Sequence, residues 1–231
     1  MKIKLNIEKR KNIFLFSFIF IFISLIIPSQ TCLSPSYKIN KLKSKGLTKD
    51  TIYKWVQKDL SFIQLTSLDT IADIGSYNGY YPSLYSVSTD SIVFYLNDIV
   101  NEGFVYFDSI NTICNKIRGA KMTNEFKITL GENDSTNLPS HTFNKVILRD
   151  ALHHFKSPAK MLTDIKRIIK PNGKLLLFES IKNPQVSYST LCRGSMTEDE
   201  LTKLLEENEF VMTRQKFTEN DRYWFEFKII N

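Results

Sequence analysis

The sequence predicts an α/β fold: a doubly wound, mostly parallel sheet with helices on both faces and an antiparallel edge hairpin. Short apolar segments alternate along the chain with segments of helical periodicity, and this alternation is typical of parallel sheets. Two uninterrupted apolar runs, VIL at 146–148 and LLLF at 175–178, fit strands that are buried on both sides. The last two strands leave no room for a helix between them, so we expect them to form the hairpin.

Each element has its own local signal. The strands predicted with bounds are TIADI (70–74), SIVFYLND (91–98), FKITL (126–130), FNKVILRD (143–150), KLLLFES (174–180) and RYWFEFKII (222–230). The other strand of the hairpin, just before RYWFEFKII, has no predicted bounds. Predicted helices follow Thr48, include Pro82 in a first turn, extend over Phe104 to Ile117, and begin after Ser157 and after the capping box of Thr197 and Glu200. The tripeptide PNG at 171–173 predicts a turn before the fifth strand.

The amino-terminal region differs from the rest of the chain. A basic stretch precedes an apolar run of 15 residues, Ile13 to Ile27, that only two serines interrupt. A spanning helix needs about 20 residues, whereas the apolar core of a secretory signal has about 7–15. We therefore predict a signal peptide or N-terminal membrane anchor over 1–32, a linker over 33–47 and one domain over 48–231.

Two forms of membrane contact follow from this segment: residues 13–27 if the segment stays uncleaved, or Cys32 if the segment is a lipoprotein signal. Either form predicts an exported or membrane-anchored protein of the periplasm or cell envelope, with a cytoplasmic location as the alternative. The formal net charge of +7 includes +4 from residues 1–32. Because the domain shows no basic stripe interleaved with aromatic residues, we expect no nucleic-acid partner.

The three cysteines give little information about function. No C-x-x-C spacing occurs, so the sequence predicts no metal site. Cys114 and Cys192 could form one disulfide or remain two thiols, and the sequence leaves both open.

The carboxyl ends of the first two strands carry the chemistry. The first strand ends at Asp73, which Gly75 and Gly79 follow, and the second ends at Asp98. In a doubly wound sheet ligands bind at such strand ends, and an acid after the second strand suits the two hydroxyls of a ribose. Each acid has a structural alternative, because Asp73 can cap the following turn and Asp98 can be a helix N-cap.

The glycine spacing excludes one class of cofactor. A G-x-G-x-x-G loop would place glycines at 75, 77 and 80, but Tyr77 and Tyr80 occupy the last two positions. This departure argues against a nicotinamide-dependent oxidoreductase. An aspartate before the turn would repel a pyrophosphate but would suit an ammonium group. An adenosyl group joined to an amino acid describes S-adenosylmethionine.

The motifs over residues 48–217 resemble the class I S-adenosylmethionine-dependent methyltransferases, specifically the type 11 group. IADIGSYNGYY resembles the first motif of that family, and GENDSTNLP resembles its G-D-A-x-x-L-P. TFNKVILRDALHHFKSPAKMLTDIKRIIKPNGKLLLFES is the most specific match. The resemblance implies a Rossmann-like methyltransferase fold with a seven-stranded sheet and S-adenosylmethionine as the cofactor.

The resemblance also implies which residues bind the cofactor. They are Asp73, Gly75, Ser76 and Gly79 of the first motif, Asp98 for the ribose, Asp134 near the adenine amino group, and Arg149. Compared with the motif of the family, this sequence has two extra residues between Gly131 and Asp134, so Glu132 is the alternative candidate for the position near the adenine. Tyr77 stands where the family has a glycine, so its side chain either covers the ligand or points away.

No catalytic residue is assigned from the sequence. Arg149, Asp150 and His153 follow the fourth strand and are the expected pocket-lining residues, while a catalytic role for His153 or His154 is the less favoured reading. The predicted function is methyl transfer from S-adenosylmethionine to an unidentified small-molecule acceptor. The alternative is an exported or membrane-anchored binding protein with a degenerate methyltransferase fold and no catalysis.

The amino-terminal segment gives a first testable prediction. On fractionation of a bacterial host that expresses the full-length chain, we expect the protein with the membranes or outside the cytosol, because the basic-then-apolar pattern directs export. Immunoblotting of the fractions and sequencing of the amino terminus measure this. A cytosolic protein that retains Met1 would contradict it.

Overall fold

The structure is a computed structural model that describes residues 35–182, 194–219 and 221–230. The predicted targeting segment 1–32 and Cys192 lie outside these residues. Among the residues described, no helix is both long enough and apolar enough to cross a membrane.

The sheet has seven strands in the order β3-β2-β1-β4-β5-β7-β6. The strands are β1 (Thr70–Ile74), β2 (Val93–Asp98), β3 (Glu125–Leu130), β4 (Phe143–Arg149), β5 (Ile169–Ser180), β6 (Phe210–Glu219) and β7 (Arg222–Ile229). Strands β1 to β5 pair in parallel, and β7 pairs antiparallel with both β5 and β6. The predicted fold class, with its edge hairpin, is confirmed.

The helices cover both faces of this sheet. They are α1 (Pro35–Leu42), α2 (Lys49–Ile63), α3 (Tyr80–Ser86), α4 (Phe107–Arg118), α5 (Pro158–Ile168) and α6 (Glu198–Glu207), with 3-10 turns at Phe104–Tyr106 and Leu152–His154. Thr48 caps α2, and Thr197 with Glu200 forms the capping box of α6, as the sequence predicts. The winding of the parallel strands reverses between β1 and β4, so ligands are expected at the carboxyl ends of these two strands.

Two segments differ from the sequence-based expectation. Residues 33–47 are predicted as a linker, yet α1 lies within this range and buries Ile39 and Leu42 in the core. The PNG tripeptide does not separate two elements, because β5 continues through it. The register instead jumps from Phe143 opposite Ile169 to Lys145 opposite Lys174, so the predicted turn is an irregularity within one strand.

The central strands β1, β4 and β5 are buried on both faces, as the uninterrupted apolar runs of β4 and β5 predict. Ile71, Ile147 and Leu176 belong to the core cluster beneath α1 to α4. Their sequence neighbours, such as Ala72 and Leu177, belong to the second cluster beneath α5 and α6. Side chains alternate between the faces of a strand, so these three strands contribute to both cores.

A buried carboxylate ties the hairpin to β5. The Glu226 side chain accepts hydrogen bonds from Lys174 Nζ at 3.0 Å, Arg214 Nη2 at 2.7 Å and Thr213 Oγ1 at 2.8 Å. Burial alone would raise the pKa of the Glu226 carboxyl, but the hydrogen bonds from these three residues hold its pKa below the ordinary value. Glu226 therefore stabilises the fold in its ionised form.

Replacing Glu226 by Gln should lower the free energy of unfolding at pH 7 by about 1–3 kcal/mol, because Lys174 and Arg214 lose their charged partner. A lowered folded-state pKa stabilises the fold above the ordinary pKa of about 4.3 and loses this effect as the pH falls through the lowered value. The difference between wild type and variant should therefore shrink below about pH 4. Urea unfolding at pH 7 and pH 3 measures both values.

The matched control is Glu219→Gln. Glu219 is exposed, and its Oε2 lies 3.9 Å from Lys58 Nζ. Removing this surface charge should therefore change the free energy of unfolding by less than about 0.5 kcal/mol. Equal unfolding curves for wild type and Glu226→Gln would contradict a stabilising role for this carboxylate.

Candidate active site

A cavity of about 480 Å³ lies at the point where the winding reverses. Its walls come from the loops after β1, β2, β3 and β4 and from the first residue of β7, Arg222. Its volume falls in the range of about 300–1,000 Å³ that small-molecule sites occupy.

The loop after β1 packs closely on the turn after β4. Gly75 has φ +74°, and a Cβ at this position would lie 2.7 Å from Ala151 Cβ. The amides of Gly75 and Ser76 both donate to the carbonyl of Asn97 on β2, at 2.9 and 3.1 Å. Only glycine satisfies both the backbone angle and the close approach, so Gly75 fixes the floor of the cavity.

Tyr77 has φ +53°, in the left-handed region of backbone angles. The methyltransferase motif that this loop resembles has a glycine at the same position. The amide of Tyr77 donates to Asp98 Oδ2 at 2.8 Å, and the backbone and ring of Tyr77 lie against Gly103. A Cβ at Gly103 would lie 2.3 Å from the Tyr77 carbonyl oxygen and 2.6 Å from Tyr77 Cδ2. The ring therefore lies along the loop after β2, and Tyr77 is one of the residues that line the cavity.

The Asp98 carboxylate is held by backbone amides. Oδ1 accepts from Ile99 N at 2.8 Å and from Val100 N at 3.2 Å, while Oδ2 accepts from Tyr77 N. The next helical turn begins at Phe104 with Gly103 as its cap, so the helix N-cap alternative for Asp98 does not describe the fold. Asp98 lines the cavity with its carboxylate fixed in one orientation.

The remaining first-motif residues divide between the cavity and the core. Asp73 is buried and lines the cavity together with Ser76 and Asn78. Within the described residues, Ser76 Oγ and Asn78 Nδ2 are buried polar atoms without a hydrogen-bond partner. Gly79 does not line the cavity, since a Cβ there would point at the Leu96 and Phe107 side chains at 2.7 Å. A glycine at position 79 therefore allows the Leu96 and Phe107 side chains to pack against the loop, and it is the N-cap residue of α3.

The two acids of the loop after β3 differ in their position. Glu132 and Asn133 line the cavity, whereas Asp134 pairs with Lys160 of α5 at 3.2 Å on the outer surface. Glu132 N donates to the Ser135 carbonyl at 2.6 Å and so closes the turn that holds both acids. Asp134 therefore lies outside the cavity lining, and the alternative candidate, Glu132, lies within it.

Arg149 lines the cavity, but its charge is already engaged. The guanidinium forms a buried ion pair with Asp59 of α2 and donates to Tyr85 Oη at 2.9 Å. It also stacks on the ring of Tyr81 at 3.9 Å. Burial alone would lower the pKa of the Arg149 guanidinium, but Tyr85 and Asp59 raise its pKa above the ordinary value. Arg149 therefore supports the wall of the cavity more than it offers a free cation.

The two histidines after β4 have separate roles. His153 points away from the cavity, and its Nδ1 lies 2.6 Å from Glu179 Oε2, with both side chains almost fully buried. His154, which the sequence reasoning ranked below it, lines the cavity instead. Partial burial and the neighbouring His153 lower the pKa of His154.

Several lining residues were not predicted from the sequence as site residues. They are Asn78, Asn97, Tyr81, Phe155, Lys156 and Arg222. Asn97 follows the rule that ligands gather at the carboxyl ends of parallel strands and could have been found from it. Arg222 begins an antiparallel strand, so its place at the same edge depends on the pairing of β7 with β5.

The comparisons with known proteins agree with this geometry. Residues 92–177 match the family described as the methyltransferase domain. A S-adenosylmethionine-dependent methyltransferase from Aquifex aeolicus is 21% identical with a TM-score of 0.63, covering 86% of this chain and 100% of that chain. A methyltransferase from Haloferax volcanii, solved in complex with a methyltransferase activator, is 13% identical with a TM-score of 0.61, covering 85% and 97%.

No curated protein matches the chain in sequence. The likenesses to solved structures show the fold, and the family match extends from β2 into β5 and does not include β1 or the loop after it. The resemblance to the class I methyltransferases that the motifs predict is confirmed.

Replacing Tyr77 by Gly should weaken the binding of S-adenosylmethionine roughly two- to tenfold, because an aromatic wall contact contributes about 0.5–1.5 kcal/mol. The variant should remain folded, since glycine favours the left-handed backbone at this position. Calorimetric titration measures the affinity.

Tyr53→Ala, at an exposed tyrosine of α2, is the control and should bind as wild type does. Tighter binding by Tyr77→Gly would mean that the tyrosine obstructs the loop.

Proposed function

We propose that this chain, which has the class I methyltransferase fold and matches the methyltransferase domain family, transfers a methyl group from S-adenosylmethionine to a small-molecule acceptor. The observation that carries the proposal is the fixed Asp98 carboxylate at the end of β2, beside the first-motif loop and inside the cavity. A carboxylate in this place suits the two hydroxyls of a ribose.

The other groups around the cavity fit the same cofactor. Asp73 suits the ammonium of its amino-acid portion, and Glu132 suits the amino group of its adenine. The buried Ser76 hydroxyl and Asn78 amide, which find no partner among the described residues, can donate to its carboxylate. The cofactor supplies a methyl group on a positively charged sulfur, which is the electrophile of the reaction.

The contribution of the chain to the chemistry is mainly positioning. A nucleophilic acceptor needs alignment with the methyl group, and a rigid cavity supplies this by holding both molecules. His154 is the side chain best placed to take a proton from an acceptor that must lose one, because its lowered pKa keeps the imidazole neutral at pH 7.

We also propose that residues 1–32 export the protein or anchor it in a membrane, through residues 13–27 or through Cys32. The support is the basic-then-apolar pattern of the sequence. The acceptor of an exported enzyme would be a molecule of the periplasm or cell envelope.

The Asp98→Ala variant of the full-length protein tests the cofactor proposal. We expect S-adenosylmethionine to bind about ten- to a hundredfold more weakly, since each charge-assisted hydrogen bond contributes about 1.5–3 kcal/mol. Asp98→Asn should lose less, because an amide oxygen can still accept one hydrogen bond from the ribose. Calorimetry on protein shown to be folded by circular dichroism measures the affinities.

Asp108→Ala, at an exposed acid in the first turn of α4, is the control and should leave the affinity unchanged. Equal affinity in wild type and Asp98→Ala would remove the ribose contact from Asp98. Tight cofactor binding without methyl transfer to any tested acceptor would favour the alternative of a binding protein without catalysis.

A further inference from the structure

The charges that line the cavity are divided between its two ends. Asp73, Asp98 and Glu132 form the acidic end, near β1, β2 and the loop after β3. The basic end consists of Arg149, Lys156 and Arg222, with Asp150 among them. Arg222 begins β7 and pairs with Ser180 at the end of β5. Because β7 is the third strand from β1 in the sheet order, Arg222 lies roughly 14 Å from β1.

The basic end retains positive charge after its internal pairs are counted. Arg149 is neutralised by Asp59 beneath the cavity. Arg222 Nη1 lies 3.5 Å from Asp150 Oδ2, which is longer than a good N–H···O bond, so the guanidinium keeps donors for another acceptor. Lys156 has no ion-pair partner among the described residues, and the segment 183–193 contains no acidic residue.

The cofactor does not account for this end of the cavity. Its sulfonium and ammonium groups are positive and match the acidic end, whereas a lysine and a loosely paired arginine would repel them. The cofactor has a single carboxylate, in its amino-acid portion. Ser76 and Asn78, in the first-motif loop after Asp73, can donate hydrogen bonds to that carboxylate. A second molecule with negative charge would complete the basic end.

Resting on the proposed function, we propose that the methyl acceptor carries an anionic group, a carboxylate or a phosphate, and that Lys156 and Arg222 bind this group. A guanidinium donates to both oxygens of such a group at once, and Lys156 adds a second charge. The rings of Tyr81 and Phe155 line the same cavity and suit an aromatic or apolar body.

Matched small probes test this proposal. The full-length protein is saturated with S-adenosylhomocysteine, and benzoate, phenyl phosphate and the neutral benzamide are titrated by calorimetry. We expect at least one of the two anions to bind tenfold or more tightly than benzamide, and the tighter of them identifies the group. The preference should decline as the salt concentration rises from about 0.05 to 0.5 M.

Variants identify the residues that carry the preference. Lys156→Gln and Arg222→Gln should each reduce the affinity for the preferred anion at least fivefold and leave benzamide binding unchanged. Lys203→Gln is the control, since Lys203 lies on the exposed side of α6 and pairs with Glu207. Equal binding of benzamide and both anions, or an unchanged preference in both cavity variants, would overturn the proposal.

Failure of the proposed function has a different result. If S-adenosylhomocysteine does not bind, the methyltransferase assignment fails, and the same titrations on the protein alone still test the anion site. An anion preference that depends on Lys156 and Arg222 in that protein keeps the site, whereas its absence overturns both proposals.

Discussion

The candidate site depends on one buried carboxylate, that of Asp59 in α2. It pairs with Arg149 at the end of β4 and accepts hydrogen bonds from Tyr85 of α3 at 3.3 Å and from Trp224 Nε1 of β7 at 2.9 Å. Burial raises the pKa of Tyr85 well above its ordinary value, so the phenol stays a neutral donor. Two helices and two strands thus meet at one charged group beneath the cavity. Because an unpaired buried charge is strongly destabilising, these elements are held in one arrangement.

This arrangement separates the charge of Arg149 from the charges that a ligand can reach. The guanidinium is enclosed by Asp59, Tyr85 and the ring of Tyr81, so it contributes structure to the cavity wall. The other charges that line the cavity are the acids Asp73, Asp98 and Glu132 at one end and, at the other, Lys156 and Arg222 with Asp150 among them. A cationic cofactor and an anionic acceptor would each find the end of opposite sign, which orients both before any chemistry occurs.

The sequence predicted what local patterns determine. Apolar runs, helix caps and the acids at two strand ends gave the sheet, the helices and the place of Asp98. It did not predict the direction of side chains that tertiary packing sets. Glu132 and Asp134 are separated by one residue of a tight turn, and only the folded turn decides which of them faces the cavity. The motif does not distinguish His153 from His154. In the fold, Glu179 of β5 accepts a hydrogen bond from His153, and His154 is left to line the cavity. Arg222 reaches the site through strand pairing alone.

Tyr77 shows how a departure from the family pattern is accommodated. A non-glycine residue in the left-handed region costs about 1–2 kcal/mol, so the surrounding structure must hold it there. The amide of Tyr77 is bound by Asp98, and its ring and carbonyl lie against Gly103, where any side chain would collide. Because Tyr77 fills the space beside residue 103, the loop after β2 needs a glycine at position 103. Since Asp98 joins the two loops, the same carboxylate that suits a ribose also holds the wall beside it and so helps to shape the acidic end of the cavity.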